Sequence, residues 1–233
     1  MATLYSPKII TDGLVLALDA ANNKSYPGSG TTWKDLSGNG NDGTLTNGPT
    51  FDSGNNGSIV FDGVNDYVNF PSNFFDYTSQ STFECWTYIQ SWINESSNCN
   101  DKRTYIMTVH SGFDNFIGFV TNSGNTVRFQ RRDPGINYTI SPSISLSLNK
   151  WYHLVGTISN PGSSYYINGI LVGSLSNTVV SSNPTTFRIG WNNFNCNNSY
   201  FNGYVTNAKI YNRALTVEEV LQNYNATKSR YGL

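Results

Sequence analysis

Apolar and polar residues alternate along most of the chain, and turn residues break the pattern every few positions. Leu14, Leu16 and Leu18 alternate with Val15, Ala17 and Asp19, while Phe83, Cys85, Thr87 and Ile89 alternate with Glu84, Trp86 and Tyr88. Tyr105, Met107 and Val109 stand in the same relation to Ile106, Thr108 and His110. A period of two puts successive side chains on opposite faces of a strand, so each run predicts a strand with one face on a core. Two hairpins are marked by their turns. Phe116–Val120 and Val127–Gln130 flank Asn122-Ser-Gly-Asn125, and Tyr165–Ile167 and Ile170–Val172 flank Asn168-Gly169. Both residues of the Asn-Gly pair tolerate positive φ, which a tight hairpin turn requires. Trp151–Ile158, Phe187–Trp191 and Tyr200–Tyr211 bring the total to at least ten strands, with no helices alternating between them. The pattern predicts an all-β fold, a two-sheet antiparallel sandwich. Residues 39–57, rich in Gly and Asn, read as loops around short strands.

One short C-terminal helix departs from this pattern, over about residues 216–229. Thr216 and Glu219 have capping-box spacing, which gives partners to two N–H groups left open at a helix start. Leu215 and Val220 are spaced as a hydrophobic staple, and Val217, Val220, Leu221 and Tyr224 form an apolar stripe. Gly232 follows as a terminator. No repeat, linker or composition shift divides the chain. Residues 1–10 read as an N-terminal arm, docked on the domain or on another subunit, and residues 11–233 as one domain.

Composition removes several classes of function. Of the 233 residues, 14% are aromatic, enough for a large core, but only 12% are charged, about half the usual quarter. Net charge is -1, and no run of Lys or Arg exceeds the pair Arg131-Arg132, so a nucleic-acid partner held through phosphates is not expected. The first residues lack a basic segment followed by an apolar run, and no stretch approaches the length of a membrane span. Neither a signal peptide nor a span is expected.

Catalysis is not expected either. A glycosidase needs two carboxylates flanking the sugar bond. The four Glu are Glu84, Glu95, Glu218 and Glu219, and the last two suit the dipole at the helix start. Glu84 reads as an exposed strand position. His110 and His153 are the only histidines, no Gly-x-Ser-x-Gly elbow occurs, and His153 reads as a packing residue beside Trp151 and Tyr152. Cys85 fits an apolar strand as a small buried hydrophobe. Cys99 and Cys196 both lie in Asn-rich loops, where a disulfide between them is one open pairing that spacing does not establish.

Several segments, in order, resemble the laminin-G-like, concanavalin A-like jelly roll. They are Gly13-Leu-Val-Leu-Ala-Leu-Asp19, Trp33 to Leu45 with its Asp-Leu-Ser-Gly-Asn-Gly core, Val60-Phe-Asp-Gly-Val-Asn-Asp-Tyr-Val68, Thr82-Phe-Glu-Cys-Trp86, Lys150-Trp-Tyr-His-Leu-Val155, Tyr166 to Val172 and Phe201 to Val220. The hydrolases of that family carry Glu-x-Asp-x-x-Glu on one strand, and this chain has no such run. Ile10-Thr-Asp-Gly-Leu-Val-Leu16 and Asn223 to Gly232 are moreover similar to virion proteins of tailed bacteriophages. That likeness implies a non-enzymatic virion surface protein, decorating a capsid or forming part of a fibre or tail. Its partners would be other virion proteins in a multi-copy or oligomeric particle. The alternative is a carbohydrate-binding lectin or adhesin module recognising cell-surface glycans.

Two candidate sites follow. Many members of the family bind calcium through loop carboxylates and carbonyls, which makes Asp19, Asp35, Asn39 and Asp42 candidate ligands by resemblance. Asp35, Ser37, Asn39 and Asp42 do place oxygens in one Gly-rich turn, as a hard cation prefers. The same residues equally suit an Asx-turn bonded to its own backbone. For sugar binding, Trp191, Asn193 and Asn197 combine an aromatic face with amides at a strand end, and Trp92 lies in a similar stretch. The other reading of both tryptophans is as aromatics at the rim of the core.

Overall fold

The structure, a computed structural model, describes residues 7–54, 57–77, 80–92, 103–111, 115–122, 124–133, 136–159, 162–176, 185–192 and 200–233. Among these, the strands are β1 (Leu14–Asp19), β2 (Thr32–Trp33), β3 (Gly43–Thr46), β4 (Thr50–Asp52), β5 (Ser58–Asp62), β6 (Tyr67–Asn69), β7 (Ser81–Ile89) and β8 (Tyr105–His110). They continue as β9 (Phe116–Thr121), β10 (Val127–Asp133), β11 (Ile136–Ile140), β12 (Trp151–Ile158), β13 (Ser163–Ile167), β14 (Ile170–Leu175), β15 (Thr186–Ile189) and β16 (Asn202–Tyr211). One helix, α1 (Val217–Thr227), runs into a 3-10 turn over Lys228–Tyr231.

The strands form two eight-stranded sheets, and every pairing is antiparallel. The first has the order β14-β13-β12-β7-β16-β5-β4, with β1 also on β16; the second has β11-β10-β9-β8-β15-β6-β3-β2. This is the two-sheet sandwich that the alternating pattern predicts. One edge of β16 is shared, with Asn202–Val205 pairing with β5 and Asn207–Tyr211 with β1. Asn168 and Gly169 have φ of 52° and 76°, as their two-residue hairpin turn needs.

The inward residues make one core. Phe83, Leu154 and Ile210 of the first sheet meet Met107, Phe119, Phe129 and Phe187 of the second. Each such side chain contributes about 1.5–3 kcal/mol by leaving water. Packing is tight enough to dictate composition: a Cβ on Gly156 of β12 would overlap the Phe129 ring. Cys85 is buried in this core as a free thiol, which burial holds far above its ordinary pKa.

The helix begins as its sequence dictates. Thr216 Oγ1 accepts from Glu219 N at 3.3 Å, while Glu219 Oε2 accepts from Thr216 N at 2.9 Å. Leu215 and Val220 share a second apolar cluster with Val155, Tyr166 and Tyr211. The expected apolar stripe is only half right, because Val217 and Leu221 are exposed. The buried face is instead Val220, Asn223 and Thr227, two of them polar. Gly232 ends the 3-10 turn in the left-handed region, at φ 71°.

Residues 7–10 dock on this helix. Gln222 Nε2 donates to Lys8 O at 2.8 Å, Ile10 N donates to Asn223 Oδ1 at 2.8 Å, and Tyr211 Oη donates to Ile10 O at 3.1 Å.

Candidate functional site

The polar face of α1 lies over the outer face of the first sheet, and there Glu84 corrects the sequence expectation. It is fully buried rather than exposed. Its Oε1 accepts from Lys209 Nζ at 2.6 Å, its Oε2 accepts from Asn223 Nδ2 at 2.6 Å, and His153 Nε2 lies 3.1 Å from Oε1. Burial pushes the carboxyl up, but Lys209 and His153 outweigh it and hold Glu84 at about 2. Burial depresses His153 despite Glu84, so the imidazole is neutral at neutral pH. Trp86 closes the layer, stacking on Tyr231 at 3.9 Å and donating from Nε1 to Thr227 Oγ1 at 2.9 Å. The carboxylate is sealed beneath the helix and cannot reach a sugar. It ties the helix to the sheet.

The outer face of the second sheet is chemically different. Thr32, Thr44, Asn69, Arg188, Thr108, Gly118, Gln130 and Thr139 pair in register and form one line across all eight strands. Paired residues share a face, and no member of this line is apolar. Gly118 belongs to it for packing, since a Cβ there would strike the backbone of Met107 and Thr108.

Arg188 is the centre of the line, and aromatic rings gather around it. Phe187 and Ile189 point into the core, so alternation puts Arg188 outside. Its guanidinium lies 4.5 Å from the Trp191 ring centroid and 5.3 Å from that of Tyr67, within cation–π range. Tyr67 and Trp191 are 5.0 Å apart, and Trp191 stacks on Tyr200 at 5.2 Å and 14°. Arg188 Nε donates to Asn69 Oδ1 at 3.2 Å, and Nη1 lies 3.5 Å from His110 Nε2. Burial and the adjacent Arg188 hold His110 at about 4, hence neutral at neutral pH. All three rings and Arg188 are half-buried, with part of each surface open to a ligand. Buried polar atoms without a partner among the described residues accumulate here: Thr108 Oγ1, Trp191 Nε1, and Nδ2 and Oδ1 of the adjoining Asn192.

The sequence-predicted residues divide among these places. Trp191 is part of the ring cluster. Trp92 is not; it packs against the main core, and its carbonyl accepts from Thr121 Oγ1 at 3.3 Å. Asn193, Asn197, Cys99 and Cys196 lie outside the described residues. Tyr200 ends the stretch that begins at Trp191, while Tyr67, Asn69 and Arg188 escaped the sequence reading. Alternation alone assigns Arg188, Tyr67 and Asn69 to an outer face, but only the strand order brings them together.

The four candidate calcium ligands do not converge on one point. Asp35 Oδ1 accepts from Ala17 N and Ser37 N, and its Oδ2 accepts from Ser37 Oγ and Asn41 N, at 2.7–3.1 Å. Asp42 Oδ1 accepts from Asp35 N at 2.8 Å, and Asn39 Nδ2 donates to Val15 O at 3.1 Å. Asp19 instead pairs with Arg230 at 2.9 Å. A cation in this loop would have to displace these internal donors. A separate cavity of about 340 Å³ lies between residues 7–11, β1 and the end of α1, and Asp19, Lys209 and Arg230 line it with their charges already paired.

With this geometry in view, the comparisons with known proteins concern mainly the fold. No curated protein sequence matches the chain. Domain 4 of an extracellular arabinanase from Geobacillus stearothermophilus, solved with arabinotriose, superposes with a TM-score of 0.72 at 18% identity, covering 91% of this chain and 98% of that one. Trypanosoma rangeli sialidase, in complex with the inhibitor DANA, gives 0.71 at 17% identity over 97% of this chain and 36% of its own. The binding domain of botulinum neurotoxin serotype D/C gives 0.72 at 14% identity, over 93% and 52%. A family model described as the concanavalin A-like lectin/glucanases superfamily matches residues 62–221, more than half of the sequence and most of both sheets. The chain belongs to that superfamily.

Proposed function

We propose that the chain is a carbohydrate-binding module whose sugar site is the outer face of the second sheet, around Tyr67, Asn69, Arg188, Trp191 and Tyr200. The observation that carries this reading is the ring cluster: Tyr67, Asn69 and Arg188 on β6 and β15, with Trp191 and Tyr200 stacked just outside the strands, join three partly open aromatic side chains to an amide and a guanidinium. Sugars present an apolar C–H face to aromatic rings and hydroxyls to amides, so both halves of the chemistry are in place. The arabinanase domain in complex with arabinotriose supports the reading, since it has this fold. So does a botulinum neurotoxin type C structure whose cell entry depends on two ganglioside molecules. These relatives favour the glycan-binding alternative over a purely decorative role. A virion surface is the carrier that the two end segments imply by resemblance, and the sugar chemistry is the same on any carrier. No hydrolysis belongs to this reading, because Glu84 is enclosed and the charged groups that act on it among the described residues are Lys209 and His153, not a second carboxylate.

The test is a glycan array on the purified protein, run with calcium and again with chelator. Saturable binding that is lost in Trp191→Ala and Tyr200→Ala, both still folded by circular dichroism, is the expected result. A blank array in both conditions refutes the module and directs the search to virion partners. Binding that disappears only with chelator assigns a cation to the loop from Asp35 to Asp42.

A further inference from the structure

Several cations of this molecule face a carboxylate, and the cation of the ring cluster does not among the described residues. Lys209 is paired with Glu84, Arg131 with Asp133 at 2.6 Å, Arg213 with Glu219 at 2.6 Å and Arg230 with Asp19 at 2.9 Å. Arg188 is half-buried and has no carboxylate partner among the described residues; its hydrogen-bonding neighbours, Asn69 and His110, are neutral. Taking a cation partly out of water without a counter-charge is costly, and proteins normally pair such a group. Beside it, fully buried Thr108 shares its register position on the same face and leaves Oγ1 without a partner among the described residues. The phenol groups of Tyr67 and Tyr200 also lie within electrostatic reach of the guanidinium. The unsatisfied groups are thus a cation and hydrogen-bond donors, grouped between faces suited to sugar rings.

We infer that the sugar bound at this site carries a carboxylate, that is, a uronic or sialic acid unit, and that Arg188 receives it while Trp191 or Tyr200 carries the ring. The inference rests on the glycan-binding reading and narrows it. A carboxylate is favoured over a sulfate because the planar guanidinium matches a planar, two-oxygen acceptor, and Asn69 fixes the plane by holding Nε.

The test is a calorimetric titration of the wild-type protein with trigalacturonate and with sialyllactose. Their methyl esters, lactose and a sulfated lactose, which has no carboxylate, serve as the other arms. The expected result is binding to at least one carboxylated sugar, weakened about tenfold or more by methyl esterification, as loss of a charge-assisted hydrogen bond implies. Arg188→Gln should produce a similar loss on the same sugar and a smaller loss on its methyl ester, which has no carboxylate for the guanidinium to receive. The ester arm requires no variant, so it decides even if Arg188→Gln fails to fold. Equal binding of acid and ester, or a preference for the sulfated sugar, overturns the carboxylate assignment and leaves the module reading standing. Absence of binding to every sugar here, with a blank array, overturns both.

Discussion

Replacing Glu84 by Gln tests the account of how the outer face of the first sheet is closed. The carboxylate is fully buried, bonded at 2.6 Å to both Lys209 and Asn223, and covered by α1. Gln keeps the shape and one acceptor oxygen but leaves the Lys209 ammonium buried without its counter-charge. Breaking one side of such a pair costs about 3–5 kcal/mol, most of it the penalty of the stranded charge. For a domain of this length, about 2–4 °C of Tm is lost per kcal/mol, so the variant should melt about 6–20 °C lower. Urea unfolding at pH 7, followed by the fluorescence of the five tryptophans, measures this, and Trp86 in the same layer contributes to the signal. Adding Lys209→Met to Glu84→Gln removes the stranded charge and should recover most of the loss. The pH dependence carries a second signature. The folded-state pKa of Glu84 is lowered from 4.5 to about 2, so its contribution is present above pH 4.5 and lost as pH falls toward 2. The gap between wild type and variant should therefore close on acidification. Glycan binding should be untouched. A single variant within about 1 kcal/mol of wild type, or a double variant no better than the single, refutes the argument.

Two further outcomes follow from packing and burial. Gly156→Ala should destabilise by about 1–3 kcal/mol in equilibrium unfolding, since its Cβ would overlap the Phe129 ring; an unchanged denaturation midpoint would show that the two sheets yield there. Asp66, buried in the turn just before Tyr67, is raised from 3.8 to about 6, chiefly by desolvation. A raised carboxyl favours the protonated fold, so this contribution is full below pH 4 and lost as pH rises through 6. Relative to wild type, Asp66→Asn should gain Tm above pH 6 and show no gain at pH 4; a gain that is the same at both values would mean that the carboxyl is not perturbed.

The local rules were readable in the sequence, and the long-range contacts were not. Alternation around Phe83 and Phe187, the Asn168-Gly169 turn and the Thr216–Glu219 box each depend on neighbours a few residues away, and each appears as expected. Glu84 was misread because alternation puts it on the outer face, which in a sandwich is usually wet. What covers it is Asn223, 139 residues further on, held in place by the helix. The helix stripe misled for the same reason: its inward face meets a carboxylate and an indole N–H, so Asn223 and Thr227 are buried where Val217 and Leu221 were expected. Trp191 was legible as an aromatic beside amides. Its partners Tyr67 and Arg188 come from two strands that become neighbours only when β15 pairs with β6.

The shared edge of β16 has a bearing on how the chain acquires this structure. β16 lies between β7 on one side and β5 and β1 on the other, so the first sheet has a gap at its middle until residues 202–211 arrive. During synthesis β7 and β5 would each present an open hydrogen-bonding edge for more than a hundred residues of elongation, which is the state most prone to pairing with another chain. Closure then depends on contacts distant in sequence, a slow step in folding. Insertion of β16 completes the sheet and brings α1 down on Glu84 and Trp86, so the last strand and the helix act together as the latch of the domain.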